Sequence, residues 1–325
     1  MRSPISIGAL RAAGLAFAVW GGACASDALA ISIELKDVAP DRIERQRAAT
    51  EGRLPLPNTP DTSRLDQRLK DAGVTRGSPV MLRIFKETSE LELWIEKGDA
   101  YVLFATYPIC HWSGTLGPKL REGDKQTPEG FYTVTRRQLY HYGRWPRSIN
   151  LGFPNTFDRA QKRDGSYILM HGGCSSVGCF AMTNPVIGEV YGLAQSAVSN
   201  GQRYMPVHVF PFRMTDENLA AHAGGPWGEF WTDLRRGYQS FERTRRPPRI
   251  SVCKGQYVVE DAPAKAVEEP EPKGKGRKKD RSDIMLGALR DGCPQPQMAT
   301  AEGKTGSGPQ APIAAGPTHP AAAPQ

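Results

Sequence analysis

Residues 170–182 read MHGGCSSVGCFAM, placing one histidine, three glycines, two serines and two cysteines between short apolar flanks. Two thiols and an imidazole this close admit three chemistries. They are a metal site, a disulfide staple, or a thiol nucleophile with its base. The compartment of the chain bears on all three.

The amino terminus points to export. Arg2 and Arg11 precede the apolar run AAGLAFAVWGGACA at 12–25, which is too short to span a bilayer, and ALA at 28–30 supplies the small residues of a signal-peptidase site. Cleavage is expected after Ala30, leaving a mature chain from Ile31 in a bacterial periplasm. A lipoprotein site at Cys24 is the alternative, but GGAC lacks the large apolar residue such a site carries. No later run is apolar enough to be a transmembrane segment. Five cysteines remain after cleavage: Cys110, Cys174, Cys179, Cys253 and Cys293. In an oxidising compartment an odd count leaves at least one thiol unpaired.

Composition marks the other boundaries. From residue 259 onward Pro, Ala, Lys and Gly dominate, with too few apolar side chains to offset the entropy of ordering, so 259–325 is read as a disordered tail. A transient helix is conceivable at 284–289 (IMLGAL). The formal charge of +8 is partly concentrated in KGKGRKKDR at 273–281. That run is read as a solvated tail, and export argues against nucleic acid as its partner. Anionic wall polymer or lipid headgroups are the fitting counterparts, held weakly and sensitively to salt. Residues 31–78, rich in Arg, Pro and Asp, form a helical or irregular lead-in. The folding unit is 79–258, ample for one core.

Within that unit PVMLRIFK (79–86), ELELWIE (90–96) and YVLFATYPI (101–109) read as consecutive strands, with Leu91, Leu93 and Ile95 alternating with polar partners. Further strands are expected at 130–137, 167–171 and 205–212. After the cysteine cluster, Thr183 or Asn184 can cap a helix, Pro185 suits its first turn and Gly201 its end. Val186, Val190, Leu193, Ala194 and Ala197 fall on its apolar face. A second helix is expected around 214–243, with Trp227 and Trp231 in the core. The fold class is mainly β with packed helices (α+β), built on mixed β-sheets and followed by a C-terminal helical extension.

For zinc, H-x2-C-x4-C offers three ligands, and His111 or Cys110 a fourth, but no second C-x2-C pair exists. A Cys174–Cys179 disulfide is sterically possible, yet so short a loop gains little from closure. The nucleophile reading accounts for more residues. A thiol needs a base beside it, and His171 stands at a strand end where its ring can be held. Gly178 permits the turn into Cys179, and the Gly178 and Cys179 backbone amides are candidates to stabilise an oxyanion.

The residues at this point resemble a known family. SSVGCFAM is similar to the S-x-G-C nucleophile motif of the L,D-transpeptidase (YkuD) catalytic domain, with Ser176, Gly178 and Cys179 in its places. GDKQTPEGFYTV (123–134) resembles the family's T-P-x-G-x-[FY] segment through Thr127, Pro128, Gly130 and Tyr132. Together with INLGFPNTFDRA (149–160), these segments look most like the YafK branch. The resemblance implies a catalytic domain over 79–212, extended to 258, with Cys179 as nucleophile and His171 as general base and acid. The Gly172 carbonyl would orient the imidazole, and Ser176, Tyr132 and His141 become candidate substrate-binding residues. The wider family carries Arg two positions after the Cys, where Ala181 stands here, and its His lies further upstream; both departures fit the YafK branch. The implied reaction is acyl transfer on peptidoglycan stem peptides through a thioester, with no metal and no cofactor. Its alternatives are an amidase cleaving the bond between peptidoglycan and an outer-membrane lipoprotein, or a non-catalytic peptidoglycan-binding module. His208 is read as structural. Cys110 stands near the site or pairs with Cys253.

Overall fold

The computed structural model describes residues 40–263 together with 290, 291 and 293. The expected signal peptide, most of the expected tail and the IMLGAL segment lie outside the described residues.

Three consecutive strands, β1 (Val80–Phe85), β2 (Glu90–Lys97) and β3 (Ala100–Pro108), form an antiparallel meander. β4 (Gly130–Val134) and β9 (Met205–Phe210) complete a five-stranded sheet in the order β3-β2-β1-β9-β4, with β9 parallel to β1. A second sheet orders β5 (Leu139–Tyr140), β6 (Ser148–Asn150), β7 (Leu169–His171) and β8 (Phe180–Ala181). Helix α4 (Asn184–Ser199) begins after the N-cap Thr183 and packs on β1 of the first sheet and on β6 and β7 of the second. Val186, Val190, Leu193, Ala194 and Ala197 are all buried on it. A 3.6-residue apolar period thus becomes the layer between two sheets.

The lead-in supplies α1 (Pro40–Thr50) and α2 (Leu65–Ala72). α1 is fastened by arginines. Arg42 donates to the carbonyls of Trp112 (2.6 Å) and Gly114 (3.3 Å), and Arg45 to those of Ser89 (2.9 Å) and Ile109 (3.0 Å). A short helix α3 (Thr156–Ala160) starts from a capping box between Asn155 and Asp158.

Several expectations change. The helix expected over 214–243 is two helices, α5 (Asp216–Ala221) and α6 (Gly228–Thr244). Gly224, Gly225 and Pro226 separate them, and Pro226 removes an amide donor at the break. The strand expected over 130–137 stops at Val134, because Thr135 and Gln138 close a capping box over a 3₁₀ turn. The boundary expected after 258 falls inside a strand. β10 (Arg249–Cys253) and β11 (Gln256–Glu260) form a hairpin whose turn residues Lys254 and Gly255 both have positive φ, as a type I′ turn requires. β12 (Arg290–Asp291) lies parallel on β10, and Cys253 is bonded to Cys293. The extension packs on the first sheet: Phe85, Phe131 and Phe210 share a core with Trp231, Leu234, Ile250 and Tyr257. His208 is buried in β9 with its ring edge-on to Phe131.

Candidate active site

β7 and β8 run parallel, with Met170 opposite Phe180 and His171 opposite Ala181. Side chains alternate along strands, so Met170 and Phe180 point into the core while His171 and Ala181 share the other face. Cys179 lies directly before β8, with its sulfur at the Leu169 amide of β7, the strand that ends on His171. Gly178, at φ +89°, makes the turn that delivers it there, a conformation side chains with a Cβ rarely adopt.

Cys179 is the free cysteine among the described residues. Its Sγ accepts the Leu169 amide at 3.3 Å and stands 3.8 Å from the Tyr167 carbonyl. Burial pushes the thiol up from its ordinary pKa, while the Leu169 amide, Ser176 and the Lys119 charge pull it down. Burial holds the His171 imidazole below its ordinary value, partly offset by its contact with the Gly172 carbonyl. The resting pair is therefore a neutral thiol and a neutral imidazole. His171 Nδ1 lies 2.6 Å from the Gly172 oxygen, which can only accept. Nδ1 must carry the hydrogen, so Nε2 presents its lone pair.

The backbone around Cys179 is held by hydroxyls. Ser176 Oγ accepts the Cys179 amide and donates to the Cys179 carbonyl, both at 2.8 Å. Ser113 Oγ accepts the Gly178 amide at 2.6 Å and donates to Lys125 O at 2.7 Å. In this conformation the two amides expected to face an oxyanion each have a side-chain acceptor, and the Ser176 hydroxyl is engaged with the Cys179 backbone.

Tyr132 is fully buried on β4, its hydroxyl shared between Asp158 and the Glu129 carbonyl. His141 lies exposed after β5, with its ring 6.2 Å from that of Tyr191. Cys174 is bonded to Cys110, 64 residues away in sequence. That pairing replaces both the Cys174–Cys179 staple and the Cys110–Cys253 pairing, and it removes Cys174 from any three-ligand zinc set. No cluster of three His, Cys, Asp or Glu suited to a metal forms among the described residues.

Three neighbours were not foreseen. Ser113 arrives from a segment 65 residues before Gly178. Lys119, buried with its ammonium on Asp124 and the Arg121 carbonyl, sends its charge toward Cys179. Trp145 lies over the His171 ring at 4.4 Å between centroids. All three are brought in by tertiary folding, and nothing in their local sequence signals it. The segment carrying Ser113 and Lys119 is itself anchored on a buried ion pair. Lys86 Nζ reaches Glu129 (2.9 Å) and the carbonyls of Thr115, Gly117 and Thr127.

Residues 83–218 match the family model described as the L,D-transpeptidase catalytic domain, YkuD. The chain is 46% identical over 195 residues to a protein of Escherichia coli K12 named putative L,D-transpeptidase YafK, covering 60% of this chain and 79% of the relative. The protein of the same name in Escherichia coli O157:H7 matches equally. Among solved structures, the helical cell shape determining protein Pgp2 of Campylobacter jejuni aligns at 17% identity and a TM-score of 0.31, over 57% of this chain and 79% of that one.

Proposed function

The chain belongs to the L,D-transpeptidase (YkuD) family, which acts on peptidoglycan, and on that premise we propose that it works by acyl transfer through a thioester on Cys179. The observation that carries this reading is the unpaired Cys179, whose sulfur accepts the Leu169 amide at the start of β7, while His171 at the end of the same strand holds Nδ1 on the Gly172 carbonyl and keeps Nε2 as its basic nitrogen. The thiol proton passes to His171 Nε2 as sulfur attacks the carbonyl of the diamino acid's L-centre in a stem peptide. The bond to the terminal D-alanine breaks, and its departing amine takes the proton from Nε2. An incoming amine then attacks the thioester, losing its proton to His171, and the thiol is restored.

Water in place of the amine makes the same site an amidase. Ala181 favours keeping that second reading: it is fully buried between His111 and His171, so the position where the wider family has Arg supplies no cation for an acceptor. Export to the periplasm is supported by the leader residues and by the two disulfides, Cys110–Cys174 and Cys253–Cys293.

Intact-mass spectrometry of the mature chain with purified peptidoglycan fragments tests the reading. A Cys179 adduct equal to the stem fragment less D-alanine is expected, absent in Cys179→Ala. Turnover without any adduct in a trapped reaction, or an adduct surviving in Cys179→Ala, would refute it. Cross-linked products indicate transfer, and free acid products indicate hydrolysis.

A further inference from the structure

The hairpin of β5 and β6 carries the stretch RRQLYHYGRWPR at 136–147, with four arginines and no acidic residue. Arg136, Arg137, Arg144 and Arg147 are all exposed, and none forms an ion pair among the described residues. By contrast, the three arginines of α6, Arg235, Arg236 and Arg243, and Arg245 directly after it each have a carboxylate partner. Four unpaired guanidinium groups on one short hairpin concentrate positive field at one place, and a planar guanidinium suits bidentate pairing with carboxylates.

The hairpin also presents apolar surface. Tyr142 at its tip is 84% exposed. Trp145 stacks at 4.4 Å on His171, and the Arg144 guanidinium lies 5.6 Å from the Trp145 ring. Gly173 makes that stack possible: a Cβ there would lie 3.1 Å from the Trp145 ring, and its φ is +92°. The positive hairpin is thereby fixed to the catalytic histidine by a ring contact. Arg144 is the arginine that this contact brings beside the ring covering His171.

We propose that the 136–147 hairpin is a docking surface for the anionic peptide stems of peptidoglycan, its arginines pairing with stem carboxylates while Tyr142 and Trp145 cover apolar parts of the polymer. This rests on the peptidoglycan reading above and adds the surface that holds the polymer against Cys179. Continuity with the site, and the match between a positive hairpin and carboxylate-bearing stems, favour the polymer over a lipid surface.

The test uses the mature chain carrying Cys179→Ala, so that the polymer stays intact, and measures co-sedimentation with purified sacculi stripped of bound lipoprotein. Replacing Arg136, Arg137, Arg144 and Arg147 together by Gln should weaken binding about tenfold or more at low salt and flatten its salt dependence. Replacing all four by Lys should restore much of it. In the Cys179 background the Gln variant should keep the wild-type rate of Cys179 alkylation by iodoacetamide, because the thiol and its base are untouched. Unchanged sacculus binding in the Gln variant overturns the proposal. So does loss of binding to phosphatidylglycerol vesicles alone, which would make a membrane the partner. If the wild type binds sacculi through the hairpin but never forms an acyl adduct, the catalytic reading fails and the docking surface stands.

Discussion

The hydroxyl of Ser113 accepts the Gly178 amide at 2.6 Å and donates to the Lys125 carbonyl at 2.7 Å, joining the turn before Cys179 to a segment fixed elsewhere in the fold. Ser113→Ala leaves a buried amide and a carbonyl without partners, a loss of about 1–3 kcal/mol. The catalytic consequence should exceed the stability one, since small displacements of a nucleophile are costly to rate. Turnover per folded molecule should fall about tenfold or more, with KM little changed. A melting curve and steady-state kinetics on peptidoglycan fragments check it, and Ser113→Thr should recover part of the rate.

Cysteine substitutions should separate sharply. Cys179→Ala should abolish acylation without changing the melting temperature, because its sulfur makes only two weak polar contacts. Cys174→Ala opens the bridge to Cys110 and should cost roughly 2–4 kcal/mol, while some acylation persists at low temperature. Thiol titration of the native mature chain should find one reactive thiol, against two in Cys174→Ala.

Lys86 and Glu129 are fully buried, and each has the other as its ion partner. Lys86→Met strands a carboxylate that also accepts from the Gly117 amide and the Trp231 indole, and should cost about 3–5 kcal/mol. Changing both partners to apolar or amide residues should cost less than the single change. Denaturant unfolding of the two singles and the double gives the coupling directly.

Acid should destabilise the fold before most carboxylates titrate. Burial lowers His111 to about 4 and His208 to about 3, from an ordinary 6.5. The unfolded chain therefore binds more protons between those values, so the contribution is complete above pH 6.5 and is lost as pH falls toward 4 and below. The loss by pH 4 is on the order of a few kcal/mol. His208→Gln should flatten the decline in melting temperature across that window if its own fold survives. An unfolding free energy that is flat from pH 7 to 4 would contradict the burial of both rings.

Alkylation of Cys179 in the unliganded chain should rise at a pH above that of an ordinary thiol, since burial raises its pKa and lowers that of His171. In the proposed mechanism the imidazole acts when a substrate carbonyl arrives, not by holding a resting thiolate. Lys119→Met should move the alkylation profile further upward, because the Lys119 charge helps the thiolate. A profile at lower pH than a free thiol would mean an ion pair at rest.

Some of this was legible in the chain and some was not. α4 could be read because its buried residues repeat at the helical period, and the meander because Leu91, Leu93 and Ile95 alternate. Cys179 and His171 could be singled out together as a candidate pair because one stretch of nine residues carries both. The hairpin at 249–260 was missed: its signal is one Lys-Gly turn, flanked by strands without clean alternation. The cysteine pairing was unreadable because spacing does not fix connectivity when partners lie 64 residues apart. Ser113, Lys119 and Trp145 reach the site only through long-range packing. For Tyr132 and Ser176 the motif does not show the burial of the one or the backbone hydrogen bonds of the other, which depend on tertiary packing.

Arg42 and Arg45 have a bearing on how portable this chemistry is. Their bonds run from α1, before residue 51, to carbonyls between 89 and 114, and Trp231 on α6 reaches back to Glu129. The stretch recognised by the family model, 83–218, thus begins after one of its clamps and ends before another. Transplanted alone into a foreign scaffold, it would bring Cys179 and His171 but leave their struts behind. Inheritance of this site is expected to travel with the flanks, as one indivisible block from α1 through the 249–260 hairpin.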